Sequence, residues 1–437
     1  MTELATRALA IASDAAGKDA EIAIDVVRRG AANVRFARNE PTTSGESDET
    51  TVSIEIALGK RVATTSTNQG DDASLRAAAE RALAMAKPAP EDPEHMPLLP
   101  PQTYGVVPSA YDNALAAMGP KERAAVAARA IARADAANVR VAGFFARTVT
   151  SRVRTTSTGL VARHRATDAS YTLTARTPDD TGSGWAGREA HRLAGLEDEE
   201  LAAHAIDRAI RSAKPKALPP GKYTVVLEPQ AVFEMLAFLI GEMNQRSADE
   251  GRSFFAGKVG KKLFPDFVSL RSDPASLLTP GAPFDAEGLP LAAHPWVSEG
   301  KIGRLSVSRW WAQKKGIEPT GTPGVFALSG GRAEATDDLV RGTKRGLLIT
   351  RLWYLRMLEP QTVTVTGLTR DGVFLIEDGK ITQPVANFRF NESPVTMLKN
   401  AEAMTRATTR VVADGGVWQV PALRAHDFTM ASVSAAV

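Results

Sequence analysis

Cysteine is absent from all 437 residues. Its absence excludes disulfides, thiol nucleophiles and thiolate metal sites, and it fits a reducing compartment. Histidine is scarce: His95, His164, His191, His204, His294 and His426 are the whole complement. No two stand at i, i+4, and neither HExxH nor HExxxH occurs, so no helical face offers a pair of ring ligands. Long apolar runs are missing too. The longest, Ala231 to Met243, is broken by Glu234 and Glu242 and falls short of the ~20 residues a spanning helix needs. An excess of one charge is also lacking: 53 Lys and Arg stand against 50 Asp and Glu, a net +3. That balance argues against nucleic acid as a partner, whatever the nominal pI of 9.0 suggests. The first residues, MTELATRALAIASDAAGKDAE, carry an early acid and no continuous apolar core. They read as an amphipathic helix rather than a signal peptide, and the expectation is a cytoplasmic chain with no membrane association.

What is present is ordinary globular material: 43% hydrophobic, 24% charged, and long enough for two or three domains. Helices are expected over Thr2–Gly17, Asp72–Lys87 (with Asp71 or Asp72 as N-cap), Pro120–Asn138, Leu196–Ala213 and Gln230–Asn244. Between the first helices lie strand-like runs at Glu21–Arg28, Asn33–Arg38, Glu49–Leu58 and Arg61–Thr67. A second set follows at Val139–Arg147, Thr148–Thr155, Leu160–His164 and Ser170–Arg176. Arg61–Thr67 and Arg152–Thr158 share six of seven residues, which hints at duplicated α+β halves. Pro88 to Pro101 is too rich in proline for helix or central strand and reads as an exposed connector.

Lys214–Pro220 (KPKALPP) is the best boundary in the chain, dividing it at 1–215 and 216–437. The fold class expected is α+β. The N-terminal domain mixes helices with antiparallel strands, and the C-terminal domain is a β-rich, barrel-like meander with helices.

The meander is concentrated in Gly346–Asn391. Thr362–Thr366 alternates as a half-buried strand should, Val373–Ile376 is an apolar run, and Asp378-Gly379 is a short hairpin turn. Its strands carry Arg351, Tyr354, Arg356 and Arg370, the one functional-looking cluster. Arg, Tyr and Trp anchor subunit interfaces, and the same group could line a groove for an extended peptide or single strand. Solvated or ion-paired arginines are the plainer alternative. A helix is expected over Ser393–Thr408, then strands at Arg410–Val412 and Gly416–Val420.

Elsewhere, motifs for chemistry are wanting. Glu189 and His191 would share a face in a strand, as a lone acid–base pair usually solvated. Gly251–Gly257 has the wrong spacing for GxSxG. Gly316–Gly331 forms no phosphate-binding motif and, with no strand just ahead of its glycines, reads as a mobile or tightly turned loop.

Taken together, GKDAEIAIDV (Gly17–Val26), LPPGKYTVVLEP (Leu218–Pro229), GRSFFAGKVGKKL (Gly251–Leu263), PFDAEGLP (Pro283–Pro290), GLLITRLWYLR (Gly346–Arg356) and TGLTRDGVFLIEDGKITQPV (Thr366–Val385) resemble the TldD/TldE family, also called the TldD/PmbA metallopeptidases. The resemblance implies a two-domain α+β protein working in a heterodimer that degrades unfolded or extended peptides. In that pair the TldD side holds zinc through HExxxH and a cysteine. Here the matching helix reads LAFLIGEMN (Leu236–Asn244), so no catalytic or metal-binding residue carries over. The chain is therefore expected to be TldE-like: no cofactor of its own, zinc in a TldD-like HExxxH-bearing partner subunit, and an extended peptide as substrate. Arg351, Tyr354, Arg356 and Arg370 are then candidate contacts to the partner or the peptide. A stand-alone, DNA-gyrase-modulator-like homodimer is the alternative.

Overall fold

The computed structural model describes residues 1–406, 408–413 and 415–434. Its first six strands make one antiparallel sheet in the order β3-β2-β1-β4-β5-β6. These are β1 (Glu21–Ala37), β2 (Glu40–Leu58), β3 (Arg61–Thr67), β4 (Arg140–Thr156), β5 (Val161–Arg176) and β6 (Ser183–Ala190). Helices α1 (Thr2–Ala16) and α2 (Asp72–Ala86) bracket the first three strands in sequence. A short α3 (Asn113–Ala116) follows, and α4 (Pro120–Ala136) and α5 (Asp198–Arg211) bracket the second three.

Alternation decides which face those helices cover. Ile22, Ile24, Val26, Val34 and Phe36 point one way along β1, as do Val141, Phe145 and Val153 on β4, and all are buried. They pack against Ala5, Ala8 and Ala12 of α1, Leu75 and Ala79 of α2, Val126 and Ala130 of α4, and Ala202 and Ala205 of α5. The two αβββα units thus meet at the β1–β4 pair, and the expected duplication is present in the topology. The seven-residue echo is not its carrier, because Arg61–Thr67 is β3 while Arg152–Thr158 ends β4 and enters its turn.

Within this sheet β1, β2, β4 and β5 are longer than the pattern suggested. β1 runs unbroken through Arg28-Arg29-Gly30, and β4 joins the two expected runs, since each is paired on both sides for its whole length. β6, SGWAGREA, gave no strand signal because glycine weakens the pattern, and Gly184 shows what that glycine is for. A Cβ on Gly184 would sit 2.5 Å from the Ala209 amide nitrogen and still closer to the Ala205 carbonyl, both backbone atoms of α5. Gly184 therefore lets α5 lie directly on β6. Gly184→Ala should force the helix away and destabilise the fold by roughly 2–3 kcal/mol, read from urea unfolding midpoints.

The chain after residue 220 adds thirteen further strands among the described residues. They are β7 (Gly221–Leu227), β8 (Ser269–Ser272), β9 (His294–Ser298), β10 (Lys301–Ile302), β11 (Val325–Ser329), β12 (Arg345–Glu359), β13 (Thr364–Glu377), β14 (Lys380–Pro384), β15 (Phe388–Glu392), β16 (Ala401–Met404), β17 (Thr409–Arg410), β18 (Val417–Val420) and β19 (Leu423–Val433). One sheet runs β12-β7-β19-β15-β13-β14, and β12 also pairs with β13, so five strands close into a barrel. A second sheet, β10-β9-β8-β11-β18-β17, packs beside it. Helix α6 (Pro229–Glu242) plugs the space between them, with Val232, Met235, Leu236 and Leu239 buried among Leu347, Ile349, Leu270 and Leu328.

The expected Asp378-Gly379 turn is there, with φ of 47° and 74°, the mirror-image turn that suits hairpins. Two other expectations are corrected. Gly316–Gly331 is not one loop, because β11 runs directly into Gly330-Gly331. A Cβ on either glycine would collide with the backbone of Phe267 or Met404, so the turn is tight. The helix over Ser393–Thr408 stops at Lys399, and β16 follows it because Ala401–Met404 pairs with β19; residue 407 lies outside the described residues.

Candidate functional site: an aromatic cleft over helix α6

Helix α6 buries one face in the core and turns the other to a cleft of about 520 Å³. Gln230, Phe233, Glu234, Ala237 and Phe238 lie on the cleft side, at the i, i+3/4, i+7/8 spacing of one helical stripe. Trp185 from β6 and Trp353 and Leu355 from β12 form the remaining walls. The cleft therefore lies where the N-terminal sheet meets the barrel.

Arg351 is its central cation. Its guanidinium is 4.4 Å from the Trp185 ring centre and 4.8 Å from that of Trp353, a stacked position between two indoles. Its Nε donates to Glu234 Oε1 at 3.4 Å, and Asp371 lies 3.8 Å from its other end. Glu234 also accepts the Leu352 N–H at 2.6 Å and the Gln230 amide at 3.3 Å. Burial pushes the Glu234 carboxyl up to about 7, and the Arg351 charge offsets only part of that. Asp371, 4% exposed, accepts from the Ser183 hydroxyl at 2.6 Å and so ties β13 to β6.

Of the four candidate contacts, Arg351 and Arg370 converge on Trp353, the latter 5.2 Å from the ring centre. Tyr354 and Arg356 form a separate pair, with the guanidinium 4.5 Å over the phenol. Tyr354 is 65% exposed and sits at φ 57° within a register shift between Trp353 and Arg356. Such a left-handed bulge costs a bulky residue of order 1 kcal/mol and aims its side chain outwards.

A second cleft of about 730 Å³ shares Trp185 and Gln230 with the first. Across it, Arg208 of α5 donates to Glu228 Oε1 at 2.6 Å, and His204 Nε2 lies 3.1 Å from Oε2. Burial alone would raise the Glu228 carboxyl, yet the Arg208 and His204 charges and hydrogen bonds bring it down to about 2. The two carboxylates at this end of α6 thus shift in opposite directions, because Glu228 has a guanidinium at 2.6 Å and an imidazole at 3.1 Å, whereas Glu234 has only the Arg351 guanidinium, at 3.4 Å.

Glu189 and His191 do not form an acid–base pair free for chemistry. Arg410 donates to His191 Nδ1 at 2.9 Å and grips Asp168 at 2.8 and 3.0 Å, while Glu189 accepts the Ala413 N–H at 3.2 Å. Burial first and the Arg410 charge second lower His191 to about 4, so it is neutral at pH 7. These side chains fasten β5 and β6 to β17. Among the described residues, no group of three His, Asp or Glu stands together to hold a metal ion.

Sequence reading missed Trp185, Glu228 and Glu234 as site residues, whereas Asp371 is one of the acids expected to pair with the arginines, and it lies 3.8 Å from Arg351. Each gains its meaning from a partner in another element, and Ser183 and Asp371 are 188 positions apart. The one available signal was the acid at Glu228, just ahead of α6, and the acid at Glu234, inside its mostly apolar run.

Known proteins bear on this arrangement. Among curated sequences, a metalloprotease of Methanothermobacter thermautotrophicus is 25% identical over 222 residues, 47% of this chain and 48% of that protein. A metalloprotease PmbA homolog of Haemophilus influenzae is 25% identical over 207 residues, 45% and 44% of the two chains. Each match thus spans about half the length of the relative. Solved structures share the fold over nearly the whole chain. TldE from Thermococcus kodakarensis matches with a TM-score of 0.88 at 18% identity, covering 98% of this chain and 100% of that one. A putative modulator of a DNA gyrase from Thermotoga maritima matches at 0.85 and 19%, covering 98% and 99%. Family models match at residues 220–432, the PmbA/TldA metallopeptidase C-terminal domain, and at 23–86, PmbA/TldA metallopeptidase domain 1. On these matches, the chain belongs to the PmbA/TldD metallopeptidase family.

Proposed function

We propose that this chain is the TldE-like, metal-free subunit of a heterodimeric zinc peptidase acting on unfolded or extended peptides. The cleft face of α6 carries the reading. It presents Gln230, Phe233, Glu234, Ala237 and Phe238, a single carboxylate and no imidazole. A peptidase zinc needs three protein donors and an open position. That stripe offers one, already engaged by the Leu352 N–H and Arg351. An aromatic wall that excludes water is what such a face can contribute to a site whose zinc lies in the other subunit. In this reading residues 1–215 and 216–437 are two domains, the protein acts in the cytoplasm, and the exposed end of the β12–β13 hairpin meets the partner.

Co-expression with an HExxxH-bearing homologue from the same source tests it. The expected result is a copurifying pair whose peptide cleavage requires zinc and both chains. A homodimer that ignores the homologue and cleaves nothing would favour the gyrase-modulator-like alternative.

Tyr354 offers a sharper test of the contact. Tyr354→Gly removes an exposed ring and relieves a left-handed backbone, so the isolated chain should keep its stability or gain up to about 1 kcal/mol. Affinity for the zinc-bearing partner should nevertheless fall at least tenfold, as loss of an aromatic anchor does. Thermal melts and titration of the two subunits read the opposite signs.

A further inference from the structure

A third hollow, of about 700 Å³, lies on the N-terminal sheet and shares no lining residue with the α6 cleft. It exists because β6 is shorter than β5. β5 pairs with β4 along its length, but β6 covers only Ala169–Arg176. The outward edge of Val161–Asp168 therefore has no ladder partner among the described residues.

The chain that continues the proline-rich connector, residues 102–112, passes this edge without pairing to it. It is tied at one end by the Tyr104 hydroxyl donating to the Gly288 carbonyl at 2.6 Å, over a floor of Leu160, Ala162 and Phe284. At the other end the Asp112 N–H donates to Thr167 Oγ1 at 2.9 Å. Between these ties, Gly105–Pro108 arches away and leaves the hollow between strap and strand.

The lining has a definite chemistry. Arg163, His164 and Arg165 come from β5, with Arg165 4.1 Å over the Tyr111 ring, and among the described residues no carboxylate lines the hollow. Neither Arg163 nor Arg165 has an ion-pair partner among the described residues. Val106 is 86% and Val161 42% exposed, apolar surface at the two walls. An open edge offers main-chain hydrogen bonds to an incoming strand, and the two arginines, alternating with the chain, set the charge of the side chains opposite.

We propose that this slot takes an acidic extended peptide as an added strand on β5. The required ligand is a segment of four to six residues, β-competent, with carboxylates at alternate positions and free of proline where it pairs. The slot is independent of any zinc-bearing partner.

The test uses the full-length chain and two fluorescein-labelled hexapeptide amides, one alternating Glu and Val, the other Lys and Val. Fluorescence anisotropy should show the Glu peptide binding at least tenfold tighter than the Lys peptide. The preference should reverse in Arg163→Glu/Arg165→Glu, whose circular dichroism and melting check that it folds. Hydrogen exchange on the wild-type chain with the Glu peptide should slow the amides of residues 161–167. Equal affinities, no binding, or an unchanged preference in the double variant would overturn the proposal. So would protection confined to α6 and β12, which would leave the peptide-handling role standing and remove this slot from it. Failure to copurify with a zinc-bearing homologue would do the reverse.

Discussion

Glu228→Gln should cost the fold about 3–5 kcal/mol, the largest single-residue effect expected outside the hydrophobic core. Both members of the Glu228–Arg208 pair have side chains only 10% exposed; the Arg208 Nε has no hydrogen-bond partner among the described residues, and the other acid near the guanidinium, Asp207, is 3.8 Å away and half exposed to solvent. Removing one charge leaves the other buried and uncompensated, which costs more than the pair contributes. The loss should fall on the junction between α5 and α6, so urea unfolding should shift its midpoint with either half of the chain as probe. Arg208→Met in the same background should recover part of the loss, because it removes the orphaned charge and Phe374 already lies 5.5 Å from that guanidinium. Strict additivity of the two single changes would show that the pair does not act as a unit.

The same carboxylate sets an acid limit. Its folded pKa of about 2 is below the ordinary 4.5, so the unfolded chain binds the extra proton between those values. The stabilisation is fully present above pH 4.5 and disappears as pH falls through 2, a change of about 3 kcal/mol. Wild type should lose that increment on acidification and Glu228→Gln should not.

Local rules carried the reading of the elements furthest where one surface of an element is buried. The α6 run, the Asp71 cap of α2 and the Asp378-Gly379 turn obey local chemistry, and the structure keeps them. Strands β1 and β4 defeated the same rules in their middles. Arg28-Arg29-Gly30 and Thr148–Ser151 lie beyond the helical cover, so neither face demands alternation, and pairing on both edges alone holds them extended. β6 was illegible because its composition answers to the backbone of α5 rather than to strand propensity. The cleft was half legible. Arg351, Tyr354, Arg356 and Arg370 stand out by type, but their division into an inner pair on Trp353 and an outer pair at a bulge depends on register shifts no local pattern encodes.

Glu234→Gln should change stability by an amount that depends on pH, growing in the variant's favour as pH rises. The wild-type carboxyl has a folded pKa of about 7 against 4.5 unfolded, so between those values the folded chain binds more protons than the unfolded one. By linkage, wild-type stability then falls as pH rises through that window, by about 2–4 kcal/mol in all. Glutamine keeps an acceptor for the Leu352 N–H and does not ionise. The stability difference between variant and wild type should therefore grow in the variant's favour by that amount from pH 4 to pH 8. His191 acts the other way: its folded pKa of about 4 lies below 6.5, so it adds stability as pH rises between them. The two opposing slopes make the wild-type profile flatter from pH 4.5 to 6.5 than either group alone would, and Glu234→Gln should expose the rising limb due to His191. Chemical unfolding of both chains at pH 4, 6 and 8 decides the matter. A stability difference equal at pH 4 and pH 8 would mean that Glu234 ionises normally and that Arg351 neutralises it fully. A difference that grows would mean that near neutral pH the floor of the aromatic cleft holds a carboxyl poised between donor and acceptor. Ligand affinity there should then follow the same titration, because a bound polar group must choose one of those two states.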